Sequence, residues 1–344
     1  MSRVLITGGC GLVGGALARR LLADPAYDVR IADQRPAPRW MREGCEVRHS
    51  DLRIAAQAHA AVRGCTHVVH LAGFGGIHGG VVVEAGDADD SPPPEIVGSS
   101  TAHTRIEYES VLHSAVVRAA LDRAVERFVY VSSPLVFEHA EEFPTPEAHL
   151  AQCPAPASAA GFSRLAGERC CRAARDEHGF PFVICRPFAT YGPGQTRTRE
   201  PGVSELLGQL AMGAVAGARP LQIAAAAEHT LAPTHVDDVA GAIVLALGSP
   251  AAVGEDFNVA SPRKLSVAQV ARVLWQAAGE DPDLLELEQI DGGEDQPARS
   301  WPAVDKAHEL LGWRARIAFE DGAGAMLGSL RERVPGPGRI GSAV

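Results

Sequence analysis

Lysine is almost absent from this chain. Its 32 basic residues are arginines except for Lys264 and Lys306, so chemistry that needs an ammonium at a set position has two residues to draw on. The seven cysteines are scattered, odd in number and include no CxxC pair. That excludes a zinc ribbon or a disulfide framework as the organising device and makes a reducing cytoplasm the expected setting. No stretch approaches the ~18 apolar residues of a membrane span. The opening "MSRVLITGGCGLVGGALARRLL" is broken by five glycines and lacks a cleavage-type ending, so it is not read as a signal peptide. Basic runs are missing as well. With a formal net charge of -10, neither a nucleic-acid nor a membrane partner is expected, and a small-molecule substrate is.

What is present is a globular composition, 46% hydrophobic and 22% charged over 344 residues, enough for two domains or one large α/β unit. Short apolar runs of β type, "RVLIT", "DVRIAD", "CEVRHS", "THVVHLAG", "RFVYVSS" and "FPFVICRP", alternate with segments of helical spacing. Nearly all-apolar strands separated by helices predict a doubly wound parallel sheet, a Rossmann-type α/β fold, with a smaller mixed α/β substrate domain. The expected boundaries are 1–193 for the cofactor domain, with 235–258 returning to it, 194–333 for the substrate domain, and a disordered tail over 334–344. Residues 74–104, rich in Gly, Pro, Asp and Ser, read as a long loop at the carboxyl edge of the sheet.

The first strand runs into Gly8, Gly11 and Gly14, spaced GxxGxxG, with Leu12 and Val13 opening a helix. Glycines there let the backbone turn tightly against a pyrophosphate, which the helix amino terminus then faces with free N–H groups. Asp33 ends the second strand, where a carboxylate accepts ribose hydroxyls and repels a 2′-phosphate, pointing to NAD as the cofactor. Arg35, two residues on, leaves NADP open. Asp51 and Leu52 follow the third strand, and Leu71, Ala72 and Gly73 end the fourth; all are expected to line the cofactor. No metal site is expected, because His67 and His70 fall on opposite faces of a strand. His235 with Asp237 and Asp238 reads as a helix start.

These motifs, "TGGCGLVG", "SDLR", "HLAG", "RFVYVSS", "ICRPFATYGPG", "THVDDVAGAI", "DFNVAS" and "KAHELLGW", come in an order that resembles the extended short-chain dehydrogenase/reductases of the NAD-dependent epimerase/dehydratase type. The resemblance spans nearly the whole chain and implies a homodimer through the helices near 105–125 and 160–178. It also implies a Tyr-x-x-x-Lys pair, the tyrosine moving the substrate proton and the lysine gripping the nicotinamide ribose. In "AAGFSRLAGE" those positions hold Ala160 and Arg164. None of the four tyrosines has a lysine four residues later. Arg164 still offers a cation to the cofactor.

Ser133 survives at the family's Ser/Thr position. Glu138, His139 and Tyr108 are the candidate replacements for the missing acid/base, with Glu109, His78 and Tyr191 behind them. On the substrate side Leu231 stands where the family carries an arginine and Ala189 where an asparagine is common. Arg299 survives, and Tyr191 is the other substrate-binding candidate. The expected function is therefore an epimerase/dehydratase-like enzyme acting on a sugar nucleotide or sugar-like metabolite through an altered pocket. The alternatives are a non-redox isomerase, lyase or cyclase that keeps NAD structurally, and a catalytically silent binding protein.

Overall fold

The computed structural model describes residues 1–74, 102–195, 203–223, 225–290 and 299–332. The chain opens with β1 (Ser2–Thr7), α1 (Leu12–Leu22), β2 (Tyr27–Asp33), α2 (Arg39–Gly44), β3 (Glu46–His49), α3 (Ala55–Val62) and β4 (His67–His70). It continues with α4 (Ala102–Asp122), β5 (Arg127–Val131), α5 (Ala159–His178), β6 (Phe182–Pro187), β7 (Thr190–Tyr191) and α6 (Val203–Val215). Then come β8 (Leu221–Ile223), β9 (Thr230–Leu231), β10 (Thr234–His235), α7 (Val236–Gly248), β11 (Asp256–Val259) and β12 (Leu265–Ser266). The last elements are α8 (Val267–Ala277), β13 (Leu287–Gln289), β14 (Arg299–Ser300), α9 (Asp305–Leu311) and α10 (Phe319–Arg331). Most of the expected loop over 74–104, His78 included, and the expected tail lie outside the described residues.

Seven strands form one parallel sheet in the order β11-β6-β5-β4-β1-β2-β3. Both faces of the sheet are covered, which is why its central strands are apolar without alternation: every residue of β5 is buried. One core cluster joins the sheet to α1, α7 and α9, the other to α3, α4 and α5. A third cluster is built from α6, α8 and α10. The chain steps outward in opposite directions from β1 and β4, which opens a crevice at their carboxyl ends. Glycine is obligatory at two points there. Gly8 sits at φ 69°, and a Cβ on Gly14 would fall 2.6 Å from the Cα of Gly9.

Helix α5 is fixed at both ends and along its buried face. Ser158 caps its start by accepting from the Gly161 amide, and Gly179 closes it in the left-handed conformation. On the buried face Glu168 receives two bonds from Arg186 of β6, Nε at 2.7 Å and Nη2 at 2.6 Å. The same Nη2 reaches Asp256 of β11 at 2.6 Å. Arg172 and Lys306 complete the network on Asp256 at 2.9 and 2.8 Å. Arg186 and Glu168 are fully buried. Charges taken out of water persist only where geometry is tight and every partner is present.

Burial alone would raise the Asp256 pKa, but Arg186, Lys306 and Arg172 hold its carboxyl well below the usual aspartate range. A depressed folded pKa means stability that is complete above the unfolded value, near 3.8, and is lost as pH falls through the folded one. Asp256→Asn is therefore expected to lower stability at pH 7 and to flatten its decline below about pH 4. Urea midpoints measured between pH 7 and pH 3 for both proteins check this; parallel curves would contradict it.

Candidate functional site

The crevice is floored by the turn from Gly8 to Gly11. Gly11 is the N-cap of α1 and brings no capping side chain, and the first turn of α1 carries no acid. The leading amides of that helix, at Leu12 and Val13, therefore meet the crevice with no anionic side chain of their own, the arrangement that suits a phosphate. Thr7 braces the opposite wall. Its Oγ1 accepts from the Ala72 amide at 3.2 Å and shares a hydrogen bond with His70 Nδ1 at 2.7 Å. The Leu71 amide bonds the Thr7 carbonyl at 3.2 Å, which pins the segment leading to Gly73 beside the glycine turn.

Asp33 is buried at the end of β2, accepting from the Cys10 amide at 2.9 Å and from Arg35. Asp51 lies beyond β3, and Arg53 hydrogen-bonds its carboxylate at 2.6 Å and holds its pKa below the ordinary value. Leu52 is buried beside it. Tyr108 belongs to this same end of the crevice. The Arg53 guanidinium lies 4.4 Å from its ring centroid, and its hydroxyl bonds Gln34 at 3.1 Å. Burial pushes its phenol up to about 12. Among the candidate bases, Tyr108 is thus placed beside Arg53 and Gln34, near the ends of β2 and β3.

Ala160 and Arg164 lie on the first two turns of α5. Ser133 ends the strand segment opposite, its hydroxyl accepting from the Leu135 amide at 3.3 Å. Glu138 follows on the short turn 134–137, but its Oε2 accepts from both the hydroxyl and the amide of Ser158, at 2.8 and 3.1 Å. It clamps the start of α5. His139, next to it, is exposed. Ala160, in the first turn of α5, brings only a methyl group.

Arg164 lies one turn on, with its Nη2 2.5 Å from where a Cβ on Gly73 would stand. Its Nε is 3.7 Å from Glu109 of α4, and it bonds the hydroxyl of Tyr130. Glu109 is buried, 3.5 Å from Arg105 and accepting from the Phe74 amide at 3.4 Å. Glu109 is thus a counter-charge shared by two guanidinium groups. The Glu109–Arg164 contact spans 55 residues of sequence, and no local pattern announces it.

The remaining tyrosines and lysines are occupied elsewhere. Tyr130 is buried beneath Arg164, and burial pushes its phenol well above the ordinary range. Tyr191 is a core residue: fully buried, it donates to the Ala318 carbonyl at 3.2 Å and packs on His235 and Phe319. Tyr27 opens β2. Lys264 stacks over Trp301 at 4.2 Å, and Lys306 bridges Glu255 and Asp256.

On the substrate side, Leu231 is buried in the third core cluster, and Arg299 enters β14, which pairs with β9 at Thr230. Ala189 takes φ 40°, a left-handed backbone that asparagine tolerates better than alanine. His235 caps α7 through its Nδ1, which accepts from the Asp237 amide at 3.2 Å. Among the described residues no group of three or more His, Cys, Asp or Glu side chains is placed to hold a metal. No described helix is long and apolar enough to cross a membrane.

A model of the NAD dependent epimerase/dehydratase family matches residues 4–84 and 98–260, more than half of the chain. A UDP-glucose 4-epimerase of Mycolicibacterium smegmatis is 26% identical over 323 residues, 93% of this chain and 96% of its own. An uncharacterised UDP-glucose epimerase of Bacillus subtilis is 22% identical over 331 residues, covering 93% and 95%. Among solved structures, the UDP-glucose 4-epimerase of Thermus thermophilus in complex with NAD superposes with a TM-score of 0.78 at 23% identity, covering 96% of this chain and 100% of that one.

With Glu138 clamping the start of α5, Glu138→Ala should cost about 1.5–3 kcal/mol of stability, the scale of a hydrogen bond to a charged group. Urea denaturation measures it, and an unchanged midpoint would show that the clamp is idle.

Proposed function

Because the chain belongs to the NAD dependent epimerase/dehydratase family, we propose that it binds NAD and acts on a sugar nucleotide or a sugar-like metabolite through a repurposed pocket. The observation that carries this reading is the pairing of a retained cofactor crevice with an α5 that is held in register but bears Ala160 and Arg164. Residues 1–193 with 235–258 would form the cofactor-binding unit and 194–333 the substrate-facing one. Gly8, Gly11 and Gly14 would admit the pyrophosphate at the amides of Leu12 and Val13. Asp33 would hold the adenosine ribose, Asp51 and Leu52 the adenine, and Leu71, Ala72, Gly73 and Arg164 the nicotinamide side. NAD supplies a hydride acceptor when bound.

General acid–base catalysis is worth roughly 10²–10⁴-fold, or about 3–5 kcal/mol of barrier. Arg164 does not replace it, since a guanidinium stays protonated near neutral pH. It supplies fixed positive charge, partly balanced by Glu109 at 3.7 Å. Ser133 is left to orient a substrate oxygen without a base beside it. These features support a second reading, a non-redox isomerase, lyase or cyclase that keeps the dinucleotide as a structural or electrostatic element. A silent scaffold is disfavoured, because it has no use for Asp33 and Asp51 at the ends of β2 and β3. Leu231, buried where the family resemblance implies an arginine, supports a substrate other than an ordinary nucleoside diphosphate sugar. We read the protein as a cytoplasmic homodimer through α4 and α5, on which Val111 and Phe162 are each 45% exposed.

Asp33→Ala should weaken NAD by about 1.5–3 kcal/mol; calorimetry reads the loss, and an unchanged affinity would remove Asp33 from the site. The register of α5 is tested by Ala160→Tyr with Arg164→Lys. The double variant is expected to gain slow NADH formation with a secondary alcohol, while each single change gains far less, because the pair acts as a unit. Absorbance across an alcohol panel measures this. If the unaltered protein already oxidises alcohols at the rate of the double variant, a base elsewhere is at work and the repurposed-pocket reading fails.

A further inference from the structure

Two glycines make room for one arginine. At Gly73, after β4, a Cβ would stand 2.5 Å from Nη2, 3.2 Å from Cζ and 3.3 Å from Nη1 of Arg164. The guanidinium thus occupies the place of a side chain there. At Gly167, three residues beyond Arg164 on α5, a Cβ would fall 2.6 Å from Cζ of Tyr130 and closer still to its hydroxyl. Residues three apart on a helix are neighbours on one face, so the notch that Gly167 leaves lies next to Arg164. The Tyr130 hydroxyl fills that notch and accepts from the guanidinium. Its ring is held by His113 and His70, with centroids 4.6 and 5.9 Å away. His70 is bonded to Thr7, whose hydroxyl accepts from the Ala72 amide. The contacts close a circuit that runs from Thr7 through Ala72, Gly73, Arg164, Tyr130 and His70 back to Thr7.

We infer that Tyr130 is the positioning residue of Arg164, seating the guanidinium against Gly73 so that it meets a dinucleotide as a rigid, two-pronged donor. The inference rests on the proposed dinucleotide site. Tyr130 is only 2% exposed, so it acts through Arg164 and not by touching a ligand. A buried phenol costs free energy unless its oxygen is bonded, and phenylalanine would fill this core position without that cost. The hydroxyl therefore has its use in the bond to Arg164. An arginine already seated loses less rotamer freedom on binding than one that must first be ordered. Glu109 balances the charge at 3.7 Å from Nε, while Tyr130 and Gly73 fix where the fork lies.

The test is calorimetry with NAD, and with ADP, which lacks the nicotinamide half, on protein freed of copurifying dinucleotide. The proteins are the unaltered chain, Tyr130→Phe, Gly167→Ala, Arg164→Ala, and Tyr130→Phe combined with Arg164→Ala. Tyr130→Phe and Gly167→Ala, the second by expelling the hydroxyl from its notch, are each expected to weaken NAD about fivefold and to leave ADP within about twofold. Beside Arg164→Ala, Tyr130→Phe should change NAD affinity by less than about twofold, because its partner is gone. Thermal unfolding confirms that each protein is folded, and Tyr130→Phe serves alone where Gly167→Ala is not. If NAD binds the unaltered chain but Tyr130→Phe leaves its affinity in place, weakens NAD and ADP alike, or costs as much beside Arg164→Ala as alone, the role of Tyr130 is overturned while the cofactor reading stands. If the unaltered chain binds neither NAD nor NADP, the cofactor reading fails, and urea midpoints of the unaltered chain, the two single variants at 130 and 164 and their combination decide the seating. A loss on Tyr130→Phe confined to the chain that keeps Arg164 upholds it, and additive losses overturn it.

Discussion

A buried guanidinium governs the geometry of this molecule. Arg186 projects from β6 into a space closed to water and is neutralised by Glu168 of α5 and Asp256 of β11. Each ion taken from water costs several kcal/mol, so the three side chains are stable only in one mutual arrangement. That arrangement ties a helix, a central strand and an edge strand together. It sets the rotation and height of α5 on the sheet, and with them the places of Ala160, Arg164 and Ser133. Glu168 lies one turn beyond Arg164 and two beyond Ala160, and Arg186 and Asp256 belong to the sheet, so positions 160 and 164 can differ while the frame does not.

The charges along the first turns of α5 are held by pairing. Arg164 lies against Gly73 and is tied to Tyr130 and Glu109; Glu109 is tied in turn to Arg105 and the Phe74 amide. Such a chain of partners orients substrates and cofactors well and moves protons poorly. At the other end of the crevice the same economy appears: Asp33 and Asp51 are presented already paired. A chain that uses arginine nearly throughout gains planar, two-pronged contacts at these points and gives up the titration that lysine allows.

Much of this was legible in the sequence. The six apolar runs became β1 to β6, and "DFNVAS" became the edge strand β11, because parallel strands covered on both faces leave an unmistakable run of apolar residues. The glycine turn and Asp33 were legible because backbone geometry restricts which residues serve there. The contacts that decide the site were not. Glu138 looks like a free carboxylate until Ser158, twenty residues on, is seen to occupy it. Tyr191 in "YGPG" reads either as packing or as a substrate contact, and only the fold shows its hydroxyl taken by Ala318, 127 residues away. Ala189 reads as a lost side chain, whereas the backbone there is left-handed. Each depends on long-range packing that periodicity does not encode.

The scarcity of lysine has a practical face. Lys306 is held between two carboxylates, whereas Lys264 is exposed and rests on the indole of half-buried Trp301. Between the two lysines an amine-selective label is thus directed to Lys264, and acylating it removes the positive charge above the ring. The indole emission of Trp301, next to the strand that Arg299 opens, would change with it. One conjugation step makes that corner of the molecule an optical gauge.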